Sequence, residues 1–260
     1  MASDLLEAGG LRLEVDGPVA TITLDRPETK NSQTPATWEA LRVIGASLAA
    51  AVRVVVVTGA GDTFSSGLDR RLLVPGGAGA ETQSGSGASY DDLAARIGTW
   101  QEGFTWLRRP EVVSVAAVRG AAVGAGFQLA LACDLRVLAG DARLSMREPA
   151  LGLVPDLTGT KPLVELVGYS RALEICATTR WVHAAEAREI GLATAVVPSA
   201  ELEAAVADLV SALTAPDHGA VAETKALLRS AGALDLDAQR LAEREAQVRR
   251  FRELAAVTGE

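Results

Sequence analysis

Histidine and cysteine are scarce in this 260-residue chain, two of each, and aromatic residues make up only 4%. His183 and His218 lie far apart with no cysteine beside either, so no structural or catalytic metal site is expected. Cys133 and Cys176 sit in apolar, alanine-rich helical surroundings, where cysteine serves as a small hydrophobe; reduced core thiols are expected rather than a disulfide. No basic block appears and the formal net charge is −8. That balance argues against a nucleic-acid partner and makes any anionic ligand depend on local groups. No apolar run approaches the roughly 20 residues of a membrane span, and the opening MASDLLEAGG lacks the basic and apolar regions of a signal peptide. A cytoplasmic protein without a membrane partner is the expectation.

Hydrophobic residues, at 48%, suffice for a packed α/β core. Leu11 to Val15 and Val19 to Leu24 alternate like a hairpin around Asp16-Gly17, and Pro35 to Ala51 follows as a helix. Arg53 to Thr58 and Val112 to Val118 are short β-branched runs of the kind buried on both faces of a sheet. Asp91 to Arg108 is predicted helical and Leu135 to Ala139 a strand. After Pro198 three helical stretches follow, Ala200 to Leu213, Ala220 to Ser230 and Leu236 to Ala255. Between them, Gly76 to Ser89 is rich in Gly, Ser and Ala with no pattern that buries a face; it is expected to be a mobile, solvated linker, with a lid as the alternative.

The most informative stretch is Gly120 to Asp134, GAAVGAGFQLALACD, a glycine turn running into a helix with almost no polar side. Such a turn frees backbone N–H groups at a helix N-terminus, where the dipole favours negative charge. A second glycine turn, Asp62 to Asp69, follows the strand Arg53 to Thr58, so two turns could place two donors around one oxygen. Gln128 is the lone amide on the apolar helix; it either bonds to nearby backbone or faces a ligand. Gly124-Ala125-Gly126 fails as a dinucleotide fingerprint because Leu129 stands where the third glycine belongs. No serine occupies a Gly-x-Ser-x-Gly elbow. Thr58 to Gly67 is similar to the anion-hole motif of ribokinase-like sugar kinases, but too little chain precedes it for their sugar domain.

Taken together, Leu24 to Asn31 (LDRPETKN), Phe64 to Asp69 (FSSGLD), Gly120 to Asp134, Glu148 to Thr160, Leu173-Glu174-Ile175 and Ala187 to Pro198 resemble the crotonase, or enoyl-CoA hydratase/isomerase, family over essentially the whole length. The resemblance implies an α/β fold, a spiral of strand-strand-helix repeats over residues 1–198 carrying an acyl-CoA site. Residues 199–260 would form a C-terminal helical region that assembles a homotrimer or dimer of trimers. It implies an acyl-CoA thioester substrate and no separate cofactor, since coenzyme A enters with the substrate. The oxyanion donors would be the N–H groups of Leu68 and Ala125, the latter where the family usually has glycine. Arg26, Lys30 and Ser66 fall where the family's coenzyme-binding loops run, and Lys225 either reaches a neighbour's nucleotide or lies on a solvated face.

An oxyanion hole stabilises the charge of an enolate but moves no protons, so acid and base belong to side chains. Family hydratases use two glutamates; Gln128 replaces the first and Glu148 occupies the second. Gln exchanges no proton near neutral pH, but it can line the site and orient a water or substrate. Asp156 lies eight residues beyond Glu148, and the dienoyl-CoA isomerase branch resembles this chain in having Glu and Asp at those two places. The aryl-CoA dehalogenases carry a nucleophilic Asp there, but with an aromatic residue in place of Glu148. Both carboxylates are flanked by apolar residues, where desolvation would raise their pKa values. Locally, Glu148 could instead pair with Arg147 or Arg143, and Asp156 could cap a helix. The favoured expectation is double-bond isomerisation by Glu148 with Asp156. Hydration of a 2-enoyl-CoA by Glu148 alone, or a catalytically weak acyl-CoA-binding protein, are the alternatives.

Overall fold

The computed structural model describes residues 2–73 and 87–258. Most of the stretch read as a linker, 76–89, therefore lies outside the described residues. A short helix, α1 (Ala2–Gly9), leads into the hairpin β1 (Leu11–Asp16) and β2 (Val19–Leu24). Its register pairs Leu11 with Leu24 and Asp16 with Val19, and Gly17 takes the positive φ of +52° that the tight turn requires. Helix α2 (Pro35–Ser47) opens with a Thr34–Thr37 capping box and Pro35 in its first turn, stops short of the expected Ala51, and is followed by β3 (Val54–Gly59). Beyond the undescribed stretch, α3 (Tyr90–Thr105) opens with a Ser89–Asp92 capping box and ends in a 3-10 turn, Trp106–Arg108.

The chain then passes through β4 (Val113–Val118), β5 (Ala121–Val123), α4 (Ala125–Ala132), β6 (Leu135–Ala139) and β7 (Arg143–Ser145). After α5 (Thr160–Val167), α6 (Tyr169–Thr178), β8 (Val182–His183), α7 (Ala184–Glu189) and β9 (Ala195–Val197), it closes with α8 (Leu202–Thr214), α9 (His218–Ala231) and α10 (Leu236–Thr258).

Six strands form one sheet in the order β1-β2-β3-β4-β6-β9, parallel except for the initial hairpin. A smaller sheet has the order β5-β7-β8. Single-residue parallel bridges extend it, Ser65 to Ala122 and Gln33 to Leu68. Each circuit of the chain thus lays a strand in the large sheet, a short extended segment in the small one, and then a helix, which is the spiral of repeats expected. The segment read as one glycine turn contains β5, a three-residue strand too short to announce itself by periodicity.

Strand β4 is buried along its whole length because both faces are covered. Val55, Val57, Ala116, Val118 and Leu138 turn towards α2 and α4, whereas Val54, Val56, Val115, Ala117 and Val137 pack under Leu202 and Val206 of α8. The packing of the sheet therefore runs past residue 198. Further on, α10 contributes the buried Ala246 but leaves Leu241, Val248, Phe251 and Leu254 exposed.

Candidate active site

Glycine 124 sets the geometry. Its φ of +51° turns the chain from β5 into α4, and a methyl built there would stand 3.2 Å from Glu148 Oε1. A side chain at 124 would therefore be strained and would crowd the carboxylate. Glu148 begins a 3-10 turn two residues past the end of β7, after Met146 and Arg147, and is only 8% exposed. Its Oε1 accepts a 2.7 Å hydrogen bond from Gln128 Nε2, while its Oε2 is buried without a partner among the described residues.

Gln128 is fixed from its other end. Its Oε1 accepts from the backbone N–H of Leu157 at 2.8 Å and of Gly159 at 3.2 Å, which leaves the amide nitrogen to face Glu148. Gln128 thus bonds to backbone, the first of its two alternatives, and it also borders the cavity. Burial raises the pKa of Glu148, opposed in part by the Gln128 bond, and the nearby charge of Asp156 adds to the rise. Burial likewise raises that of Asp156.

Two backbone donors border the same space. Gln33 brackets Leu68 from both sides, its N–H donating to Gly67 O at 2.7 Å and its carbonyl accepting from Asp69 N at 2.8 Å. The Leu68 N–H, pointing away from that ladder, donates to no acceptor among the described residues, nor does the Ala125 N–H at the start of α4. The two turns abut. A methyl on Gly67, which has φ +84°, would lie 2.4 Å from Val123 O and 3.4 Å from Ala125 N.

A cavity of about 310 Å³ is lined by Leu68, Gly124, Ala125, Gln128, Glu148 and Asp156. Trp38, Leu93, Ile97 and Trp100 form one apolar wall and Leu151, Leu153, Val154 and Leu157 another. The Trp38 and Trp100 rings meet at 5.1 Å and 58°. Gln101 Nε2 donates to the carbonyl of Asp156 at 2.7 Å, tying α3 to the loop that carries the second acid.

Neither local alternative for the acids is found. Arg143 and Arg147 stack on Trp181, at 4.5 and 4.9 Å, instead of pairing with Glu148. Helix α5 begins behind Gly159 with no side-chain cap, so Asp156 is not its N-cap. Arg26, Lys30 and Ser66 stand outside the cavity lining. The Arg26 guanidinium binds Ser32 O at 3.0 Å and Asp69 Oδ2 at 3.3 Å, and Ser66 Oγ donates to Thr29 O at 3.0 Å. Both tie loop to loop, while Lys30 is exposed with φ +55°.

The solvated-face expectation for Lys225 is corrected. It is 9% exposed, and its Nζ donates to Asp134 Oδ2 and to Val112 O, each at 2.6 Å. The amine anchors α9 to the start of β4, where the half-buried Asp134 already receives the Ser114 N–H and hydroxyl and takes the ammonium as its cationic partner. Both cysteines are free, and burial pushes the Cys133 thiol up to about 12. No helix among the described residues is long and apolar enough to cross a membrane.

The enoyl-CoA hydratase/isomerase family model matches residues 14–258. The chain belongs to that family. A protein of Thermobifida fusca YX, classed with the enoyl-CoA hydratases and solved in complex with CoA, is 53% identical, each chain covering 97% of the other, with a TM-score of 0.92. A second structure, in complex with acetoacetyl-CoA, is 50% identical over 96% of this chain and 98% of that one, with a TM-score of 0.90. Among relatives, the peroxisomal Delta(3,5)-Delta(2,4)-dienoyl-CoA isomerase of Arabidopsis thaliana is 34% identical over 68% of this chain, which spans 64% of that protein's length. The short-chain-enoyl-CoA hydratase of Clostridium acetobutylicum is 28% identical over 93% of this chain and 89% of its own.

Sequence reading missed Gln33 and Ser65, both wholly buried, and the Trp38–Trp100 wall. The one signal available for Gln33 was an amide directly before a helix cap, in Asn31-Ser32-Gln33-Thr34-Pro35. That is ordinary loop chemistry until the fold closes over it.

Proposed function

We propose that this chain binds an acyl-CoA thioester and shifts a double bond in its acyl group, with Glu148 as base and Asp156 as acid. Glu148 takes a proton from the carbon beside the thioester carbonyl. The enolate oxygen is held by the Leu68 and Ala125 N–H groups, each worth about 3–4 kcal/mol of transition-state stabilisation. Asp156, whose pKa is raised by burial, donates in its protonated form to the far end of the conjugated system, and a proton passed from Glu148 to Asp156 returns both groups to their starting states. The observation that carries this reading is the buried, unpartnered Glu148 Oε2 in a cavity bordered by a second half-buried acid and two backbone donors without acceptors.

The CoA-bound structures of the Thermobifida fusca protein support an acyl-CoA ligand here, and the family resemblance assigns the nucleotide a path near the exposed Lys30. Arg26 and Ser66 then serve that path by shaping the loop, and coenzyme A enters as part of the substrate with no further cofactor. Exposed Leu241, Val248 and Phe251 on α10 support self-association through the C-terminal helices. Hydration by Glu148 alone is the second reading, supported by the remaining Nε2 hydrogen of Gln128, which is free to orient a water. Glu148→Gln and Asp156→Asn, assayed separately on 3-enoyl-, 2-enoyl- and dienoyl-CoA, test the assignment. Isomerisation lost in both variants supports it; hydration lost only in Glu148→Gln selects the second reading. Tight binding without turnover by the wild type would leave an acyl-CoA-binding protein.

A further inference from the structure

Leu68 contributes to the site only through its N–H, so whatever holds residues 67–69 in place determines whether that donor points at the oxygen. Besides the polar contacts on the Asp69 side chain, three main-chain contacts flank Leu68 itself, and Gln33 supplies two of them through its own main chain. The third is the Ser65 hydroxyl, which accepts from Gly67 N at 3.2 Å while donating to Asn31 O at 2.7 Å. The same hydroxyl lies at the joint between the two donor turns. A methyl built on Gly126, the residue after the second donor, would stand 2.9 Å from Ser65 Oγ and 2.6 Å from its Cβ. Ser65 thus touches the turn of Leu68 and the first turn of α4 together.

Behind Ser65 stands the Gln33 amide. Its Nε2 donates to Ser65 Oγ at 3.1 Å, and its Oε1 accepts from the Trp38 indole N–H at 2.9 Å. Gln33 has no exposed surface and Trp38 only 3%. A buried amide with both ends engaged is costly to rotate, because either end would lose its partner in a dry interior. Trp38 also lines the acyl cavity, and its ring packs against Trp100. One hydrogen-bonded chain therefore runs from the wall against which an acyl group would lie, through Trp38, Gln33 and Ser65, to the turn bearing the Leu68 N–H.

We propose that Gln33 is a positioning residue: strung between the Trp38 indole and the Ser65 hydroxyl, its amide fixes the Leu68 donor relative to the Ala125 donor and links that spacing to the acyl wall. This rests on the reading of Leu68 and Ala125 as the oxyanion donors. It also accounts for a buried polar side chain where an aliphatic one would fill the space without needing partners.

The test uses the full-length protein, hexanoyl-CoA labelled with carbon-13 at the carbonyl, and difference infrared spectroscopy of the bound thioester. In the wild type the carbonyl stretch moves to lower frequency on binding. In Gln33→Leu that displacement falls by roughly half or more and kcat falls about tenfold, while affinity for the ester changes much less. Trp38→Phe keeps an aromatic side chain at the wall while removing the indole donor, and gives a smaller change in the same direction; it decides the matter if Gln33→Leu does not fold. A wild type whose carbonyl stretch does not move on binding overturns the oxyanion reading itself. A normal displacement in the wild type, retained in full by Gln33→Leu, or by Trp38→Phe where that variant decides, overturns the positioning role and leaves the oxyanion reading intact. A large loss of affinity with the displacement of the bound ester intact also overturns it, since that is the signature of altered cavity shape.

Discussion

Gln128→Glu converts the neutral partner of Glu148 into a second carboxyl at the same place. The Leu157 and Gly159 N–H groups still favour negative charge on one oxygen of residue 128, but the other now faces Glu148 Oε1 across the 2.7 Å that the amide spans. Two ionised carboxylates at that separation repel by about 6 kcal/mol at an effective dielectric of 20. At 1.36 kcal/mol per pH unit, the pair therefore keeps one proton about four pH units beyond an ordinary glutamic acid. The folded state then binds a proton that the unfolded state has released, so the variant loses stability as pH rises from the ordinary glutamate range through neutrality. Between pH 5 and 8 this pair costs the variant about 4 kcal/mol, or roughly 8–16 °C in Tm for a chain of this size. The difference from wild type is that figure less the smaller loss from the raised Glu148 alone. Differential scanning fluorimetry of both proteins across that range measures it directly. Together with Glu148, the retained proton restores the two-carboxyl arrangement, and hydration of a 2-enoyl-CoA should rise relative to isomerisation. A Tm difference that is flat with pH would refute the geometry on which the argument rests.

Further outcomes follow from other contacts. Burial raises the Glu148 pKa, so the acid limb of kcat/KM lies above the ordinary glutamate range near 4.3, and base activity fades as pH falls through the raised value. The sign for stability is the reverse: Glu148→Gln gains Tm relative to wild type as pH rises from the ordinary to the raised value, read from paired melts. Gly67→Ala forces a methyl into a φ of +84° and against Val123 O; roughly 2–4 kcal/mol of stability and most turnover should be lost, measured by urea unfolding and steady-state assay. Lys225→Met leaves Asp134 without its cation and should cost about 3 kcal/mol, with KM for the acyl-CoA unchanged if the lysine is an anchor and not a nucleotide contact.

The parts of the fold legible in sequence were those with a repeating physical signature. Strands β3 and β4 advertise themselves as β-branched runs because both faces are covered, and α2 is bounded by Thr34-Pro35. Strands β5, β7 and β8 have two or three residues each and carry no period to detect. Their existence depends on the large sheet placing Ser65 beside Ala122 and Ala121 beside Arg143. The candidate site divides in the same way. Glu148, Asp156, Gln128, Leu68 and Ala125 were named from the family resemblance and border one cavity. Lys225 was misread because its partner Asp134 is 91 residues away. Gln33 and Ser65 were missed for a similar reason: a buried polar side chain has meaning only through partners that tertiary structure brings to it.

The central claim is that Glu148 removes a proton beside the thioester carbonyl. It is tested most directly by deuterium uptake into an acyl-CoA from heavy water, followed by mass spectrometry in wild type and Glu148→Gln at equal occupancy. The account predicts uptake at the carbon next to the carbonyl in the wild type and a loss of about 10²–10⁴-fold in the variant. Uptake in Glu148→Gln at the wild-type rate would contradict it.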